Sequence, residues 1–389
     1  SDFAWGVEQT VAVGDLDGLV VMNGLSLIGL EYQLNAKNSF FVEGGFKNYN
    51  EIKGNAEDSN LKEINNIGMR EIFWNLNLEN TKLTVGLQTM TAGDYFLLDE
   101  RVIGANYRQY LGKFELSTQI GSVKRDFARM GDFCGTRKLF YMAKGTRAGE
   151  ELGETNLFAT VIKWKPNKQV DDGSSDEDFD SDEDFESDDD EFDDFEDVVE
   201  SNDWMLDEVG AIFYQEFGSG FDEYKYYYGA LAGFNLPWDI RLNTEVIGQY
   251  SELYTTAAYF IEATRVFTWE NGSNSALSAK FIGQIEIDED ALFYPAFSNM
   301  FLGEVLRADS KDIPLVYSSI KHIFPWETGF YVRLRYTQRV DENELREIGF
   351  ETGIKLFHHL KITGMVSAVS SEELTEDIMM TRLELRLAF

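Results

Sequence analysis

The sequence predicts an all-β fold: a transmembrane, antiparallel, up-and-down β-barrel of about 18 strands formed by residues 1–389 as one domain. Three observations predict it. Apolar and polar residues alternate with period two in segment after segment; the segments are long for strands; and the connections between them alternate between long and short.

The alternation is plainest near the end of the chain. In Glu347–Leu356, Ile348, Phe350, Ile354 and Leu356 share one face, and Glu347, Glu351 and Lys355 share the other. Phe330, Val332, Leu334 and Tyr336 stand likewise against Arg333, Arg335 and Thr337, and Leu383, Leu385, Leu387 and Phe389 against Arg382, Glu384 and Arg386. Such segments fall at 3–14, 20–34, 38–50, 66–78, 80–91, 102–111, 113–124, 155–166, 205–217, 222–235, 238–250, 254–268, 275–287, 312–323, 328–340, 344–356, 358–370 and 377–389. Strands of globular sheets average ~5–6 residues, whereas a tilted strand needs ~9–11 to cross a bilayer. No apolar run is long enough for a membrane-spanning helix; Leu19–Leu30 is broken by Asn23, Gly24 and Ser26.

With the first strand running outward, the long connections at 51–65, 92–101, 125–154 and 288–311 share the outer side. The other side receives short turns at Glu79-Asn80, Gly112, Leu236-Pro237 and Phe324–Glu327. A soluble sandwich predicts no such asymmetry. One connection departs from it: the stretch 167–204 falls on the short-turn side, unless Lys138–Ala143 forms an additional strand that reverses the parity.

Composition agrees. Five prolines against 33 glycines suit continuous ladders, since proline cannot donate a ladder hydrogen bond. The single cysteine, Cys134, excludes an internal disulfide framework. The net charge of −35 is uneven: 20 Asp and Glu residues, and no Lys or Arg, lie between Val170 and Asp203. The remainder carries 34 basic and 49 acidic residues, a balance of −15, so nucleic acid is excluded for want of a basic footprint. The acidic insert, punctuated by Phe179, Phe185, Phe192 and Phe195, is low in complexity and self-repelling; it reads as a disordered insert, with cations or a basic envelope protein as possible partners. It lacks the mid-loop glycine of a calcium-binding EF-hand.

The final residues, Thr381–Phe389, resemble the terminal strand of Gram-negative outer-membrane barrels. That resemblance implies a bacterial outer-membrane location, contact with outer-membrane lipid, and recognition of Phe389 by the barrel-assembly machinery. The Ser-Asp-Phe-Ala-Trp-Gly start then reads as a mature end after signal-peptide removal. Val85–Gln88 and Asp99–Arg108 are similar to a strand–loop–strand of alginate-export-type barrels, with Leu87 where that pattern has Arg; this likeness implies a channel of about eighteen strands and no particular substrate.

The residues point away from an enzyme, a cofactor or a metal site. His322, His358 and His359 all lie near predicted inner turns, away from any Ser or Asp that could complete a triad, and adjacent His358 and His359 face opposite sides of a strand. No phosphate-binding loop follows Gly131 or Gly135. The informative face is the inward one. Parity places Arg333, Arg335, Arg339, Lys355, Lys361, Arg382 and Arg386 there, with Glu347, Glu351 and Glu384 among them. Glu71, Glu115 and Glu245, with Arg108 and Arg241, face inward from earlier strands, so a basic wall is expected opposite a more acidic one. In a packed interior, pairs such as Arg382–Glu351 or Arg386–Glu347 are expected instead.

A barrel of ~18 strands is too wide for side chains alone to fill. The segment Asp290–Arg307, with Phe293, Tyr294, Phe297, Met300 and Phe301, is too apolar to stand in water and is expected to enter the mouth or meet a partner. Trp238, Trp269 and Trp326 fall at predicted inner strand ends and Tyr224, Tyr226 and Tyr228 near an outer end, as interfacial belts require; Trp74 falls at neither. These readings predict a channel for small polar or anionic solutes, with an anchor or docking platform for partner proteins as the alternative.

Overall fold

Alternating side chains give each segment one face for lipid and one for the interior, and a sheet in hydrocarbon must close so that no edge is left. The computed structural model shows such a closed sheet. It describes residues 3–53, 63–93, 96–124, 151–166, 205–221, 224–288, 291–297, 314–340, 345–357, 359–371 and 377–389. The strands are β1 (Phe3–Leu16), β2 (Leu19–Asn35), β3 (Asn38–Lys53), β4 (Glu63–Leu78), β5 (Thr81–Ala92), β6 (Leu98–Leu111), β7 (Phe114–Ser122), β8 (Asn156–Trp164) and β9 (Met205–Phe217). They continue as β10 (Lys225–Leu236), β11 (Ile240–Tyr250), β12 (Thr255–Thr268), β13 (Asn274–Glu286), β14 (Leu315–Ile323), β15 (Tyr331–Arg339), β16 (Arg346–Leu356), β17 (Leu360–Ser370) and β18 (Ile378–Ala388). Each pairs antiparallel with its sequence neighbours, and β1 pairs with β18 from Glu8↔Ala388 to Leu16↔Met380.

The eighteen segments read from the sequence correspond one to one with these strands. The direct β7–β8 ladder, Phe114↔Trp164 to Ser122↔Asn156, leaves no place for a further strand between them. The connection 165–204 therefore leaves from the end that carries the short turns. The proposed extra strand at Lys138–Ala143 and the acidic insert itself lie outside the described residues.

Phe389 closes the cylinder: its N–H donates to the Val7 carbonyl (2.9 Å) and its carbonyl accepts from the Val7 N–H (3.0 Å). At the β1–β2 hairpin the two-residue turn Asp17-Gly18 has both φ positive (49° and 86°), the geometry that keeps a tight turn in step with strand twist. Exposed Trp5, Phe114, Trp164, Trp238, Trp269, Trp326 and Phe389 ring the short-turn end, and exposed Tyr224, Tyr228 and Tyr250 mark the opposite rim. Trp74 pairs with Phe40 and Val85, both exposed on the outer surface, so it belongs to the lipid face just above the belt. His359 stacks on Phe389 (5.5 Å), and His322 Nδ1 lies 2.7 Å from Ser275 Oγ, both near the short-turn end.

Candidate functional site: the barrel lumen

Two short segments leave the rim and enter the cylinder. Residues 291–297, after β13, run along the inner wall across β13, β11, β10 and β9 toward β6. Gln284 on β13 donates to the Ala291 carbonyl (2.5 Å) and accepts from the Phe293 N–H (3.2 Å). Gln249 on β11 donates to the Leu292 carbonyl (3.2 Å) and accepts from the Tyr294 N–H (2.7 Å). The Tyr294 carbonyl accepts from Tyr227 Oη (3.1 Å) and Lys225 Nζ (3.2 Å) on β10. Glu216 on β9 accepts the Ala296 N–H (2.6 Å), and the Phe297 carbonyl accepts the Asp99 N–H of β6 (2.9 Å). An irregular segment inside a barrel must have its amides satisfied, and inward glutamine, tyrosine and glutamate side chains do that here.

The second segment is the β5–β6 connection, whose Phe96 ring stacks on Phe293 (5.3 Å). Together they pack on the inward faces of β5–β14, where Met90, Leu157, Ile212, Tyr214, Tyr227, Ile247, Phe260, Ile282 and Leu315 form one buried cluster with Phe293 and Phe297. Half of the barrel thus holds a hydrophobic core of its own, formed by side chains that a fully wet lumen would leave in water. Phe293 is fully buried; Tyr294 is half-buried, 5.2 Å from Lys225 Nζ by its ring; Met300 and Phe301 lie outside the described residues.

The other half is polar. Pairing across β14–β18 and β1 aligns the row Lys321, Arg333, Glu351, Met365 and Arg382, and a second row contains Lys355, Lys361, Arg386 and Thr10. Arg333, Arg335 and Arg382 are buried in the wall, Arg339, Lys361 and Arg386 are half-buried, and Lys355 is exposed at the short-turn end. Among the described residues, Lys321, Arg333, Arg335, Arg339, Lys355, Lys361, Arg382 and Arg386 face inward here against Glu8, Glu347, Glu351 and Glu384: eight cations against four carboxylates.

Ion pairing follows the cross-strand register. Glu351 accepts from Arg335 Nη2 and from Tyr331 Oη (2.9 Å). Arg382 stands 3.8 Å from Glu384, and Arg386 reaches Glu8 (2.8 Å) across the closing seam. Arg386 cannot reach Glu347, because Lys361 opposes Arg386 whereas Val369, eight residues along β17, opposes Glu347, a separation of ~26 Å at the rise of a strand. Glu347 accepts from Ser367 Oγ instead (2.6 Å).

The wall expected to be acidic is compensated. Lys163–Glu208 (3.3 Å), Lys165–Glu115 (3.2 Å), Arg241–Asp207 (3.5 Å) and Lys280–Glu262 (3.0 Å) pair along β7–β13, so that side presents dipoles rather than a sheet of negative charge. Arg108 faces inward between Lys82 and Ser117. Glu245 is buried, with Oε1 3.4 Å from where a side chain on Gly93 would begin. Glu71 does face inward, but so does its neighbour Arg70, because a bulge opposite Glu43/Gly44 inserts one residue; Arg70 Nη1 binds Glu43 at 2.9 Å. Sequence reading missed Glu216, Tyr214, Tyr227, Gln249 and Gln284. Their inward parity was readable, but their partners lie up to 80 residues away.

No protein-family model matches the chain, and no curated protein is significantly similar to it in sequence. Solved structures are similar in fold. The outer membrane protein OpdK from Pseudomonas aeruginosa superposes with a TM-score of 0.57 at 9% identity, covering 100% of this chain and 99% of that one. Acinetobacter baumannii OccAB4 gives 0.55 at 8% identity, covering 100% and 98%. Pseudomonas aeruginosa OccK2, solved in complex with glucuronate, gives 0.56 at 8% identity, again covering 100% and 98%. The chain therefore has a closed 18-stranded antiparallel barrel fold similar to that of the outer membrane protein OpdK.

Proposed function

We propose that the protein is a passive outer-membrane channel for small polar solutes, with a preference for anions. The observation that carries this reading is the division of the lumen: an apolar cluster built on 291–297 occupies one side, and the other side carries, among the described residues, twice as many cations as carboxylates. In a confined passage walled by low-dielectric protein, such an excess raises the local anion concentration and the entry rate. Arg333, Arg335, Arg339, Arg382 and Arg386 form the ladder in this reading, Lys355 and Lys361 its inner end, and Phe293, Tyr294 and Phe297 the constriction. Similarity of fold to OccK2, crystallised with glucuronate, and to OpdK, crystallised with vanillate, supports the choice of small carboxylates as first test solutes.

The test is ion selectivity in planar bilayers. Arg333→Gln with Arg339→Gln removes two ladder charges and leaves the Arg335–Glu351 pair intact, so the reversal potential in a salt gradient should move toward cations. An unchanged reversal potential removes the ladder from the mechanism.

The second reading is a docking platform. Phe293 and Phe297 are buried inside the barrel, so this role would fall to the acidic insert, which leaves from the short-turn, periplasmic end. A stoichiometric basic partner co-purifying from native membranes, with no conductance from the purified barrel, would favour it. Recognition of Phe389 by the assembly machinery is part of both readings, and poor membrane insertion of Phe389→Ala would support it.

A further inference from the structure

On β12 the even-numbered side chains face the interior: Phe260 joins the apolar cluster and Glu262 pairs with Lys280. Arg265 therefore faces lipid. Its ladder neighbour on β13 is Leu277, whose own neighbour on β14 is Ile320, and both are exposed on the outer surface. Among the described residues, Arg265 is the one charged side chain at a lipid-facing strand position in the periplasmic half of the barrel. An arginine on the lipid face is costly at the bilayer centre, and the cost falls toward the headgroups. Arg265 stands three residues from the end of β12, ~8 Å at the rise and tilt of a barrel strand. Its guanidinium leans further toward that end, 4.2 Å over the Phe267 ring. No hydrogen-bonding or ion-pair partner meets it among the described residues, and its Nε is buried unsatisfied.

The stack continues to a polar chain. The Phe267 ring lies 6.4 Å from that of Trp269. An interfacial tryptophan ordinarily offers its indole N–H to water and headgroups. Here Trp269 Nε1 turns back to the wall and donates to Ser275 Oγ (2.9 Å), which lies 2.7 Å from His322 Nδ1. The indole can only donate, so Ser275 accepts from it and gives its own hydroxyl hydrogen to Nδ1. That hydrogen-bond chain assigns the imidazole hydrogen to Nε2, which has no acceptor among the described residues. Phe267, Ser275 and His322 are successive ladder partners, so the guanidinium and the imidazole stand two strand spacings apart, ~10 Å. Two unanswered donors thus stand at headgroup level below an apolar floor of Leu277 and Ile320.

We propose that Arg265, Phe267, Trp269, Ser275 and His322 form a site for one glycerophospholipid of the periplasmic leaflet. The phosphodiester accepts from the Arg265 guanidinium, an ester carbonyl accepts from His322 Nε2–H, and the acyl chains lie on Leu277 and Ile320. Because the guanidinium has no ion-pair partner among the described residues, a head with net negative charge is favoured, phosphatidylglycerol over phosphatidylcholine. The site is independent of whether the lumen conducts.

The experiment titrates the full-length barrel in mild detergent with dioleoylphosphatidylglycerol and counts bound lipid by native mass spectrometry. The wild type should retain one molecule. Arg265→Gln should bind it about tenfold more weakly and His322→Leu about fivefold, as expected for the loss of a charge-assisted and of a neutral hydrogen bond, while Arg265→Lys should recover part of the affinity. Dioleoylphosphatidylcholine should bind more weakly than the glycerol lipid, diolein, which has no phosphate, should not be retained, and inorganic phosphate should not displace the lipid. Equal retention by wild type and Arg265→Gln would show a guanidinium that only reaches for bulk headgroups and would overturn the site. So would equal retention of diolein, or displacement by inorganic phosphate, which would make it a site for free anions. The comparison of lipids needs no variant, so it decides the matter even where a substitution impairs folding.

Discussion

Replacing Glu216 with leucine should release the inward segment, and the structure indicates by how much. The carboxylate accepts the Ala296 N–H at 2.6 Å and the hydroxyls of Tyr214 (3.2 Å) and Tyr227 (3.4 Å), and it is fully buried. Leucine keeps the volume but leaves a buried amide without its acceptor, at a cost of about 1–3 kcal/mol, toward the upper end because the lost acceptor is charged. Gln249, Gln284 and Tyr227 still hold the segment at Leu292–Tyr294, so it should stay inside on average. A loss of ~3 kcal/mol nevertheless multiplies the population of displaced states by ~100-fold, since each 1.4 kcal/mol is a factor of ten. Single-channel recording is the assay. The wild type should conduct at one steady level; Glu216→Leu should flicker to a larger one; Glu216→Gln, whose amide oxygen can still accept the Ala296 N–H, should stay close to wild type. A Glu216→Leu channel with the same conductance and the same current noise would refute the idea that this carboxylate holds the constriction.

Three further outcomes are expected. Arg335→Met should lower the temperature at which the barrel loses its compact gel mobility by an amount equivalent to about 1.5–3 kcal/mol, because buried Glu351 loses a charge-assisted hydrogen bond while it keeps that of Tyr331; adding Glu351→Met should recover part of it. Gly104→Ala should be destabilising, since its new Cβ would lie 2.0 Å from the Ile120 carbonyl oxygen, whereas Gly349→Ala, with Ser367 Oγ at 3.7 Å and Arg335 Cβ at 3.9 Å, should be close to neutral in the same gel assay. Replacing 167–204 with a tight turn should leave folding and conductance unchanged, because β8 and β9 pair without it from Asn156↔Phe217 to Trp164↔Val209; loss of the compact gel band would show that the insert is needed to form the barrel.

What the sequence revealed and what it hid have a common physical origin. Period-two alternation is a local property, so all eighteen strands, the side on which each connection falls and the inward parity of Arg333, Arg382 and Glu351 were legible. Ion pairing was not, because it depends on cross-strand register: Arg386 meets Glu8, 378 positions away, and only the closed ladder brings them together. The bulge that turns both Arg70 and Glu71 inward was invisible for the same reason, since one inserted residue leaves the alternation intact on either side. The apolar inward residues of β8–β14 misled in another way. Leu157, Ile212, Ile247, Phe260 and Ile282 depart from a polar lumen, and the alternation weakens there because both faces are buried, one by lipid and one by returning loops. A strand apolar on both faces within a barrel was the available signal that something enters from above.

This double burial also explains why the inward segments lie on one side of the barrel. A cylinder of this strand number encloses more width than its own side chains can cover, and water would occupy the remainder. Two short segments with large aromatic residues remove that water from one side only, because only the walls of β5–β14 present an apolar face for them to pack against. The inward face of β14–β18 and β1 carries charged side chains instead and offers Phe96, Phe293 and Phe297 no comparable apolar surface. The inward glycines Gly86, Gly104 and Gly121, aligned across β5–β7, add to the asymmetry. Side chains at these positions would strike the neighbouring backbone, and Gly86 holds a φ of +142° that few other residues tolerate. The strands can therefore bend and approach closely at that corner. One pattern of polar and apolar side chains thus decides which half of the lumen the inward segments occupy.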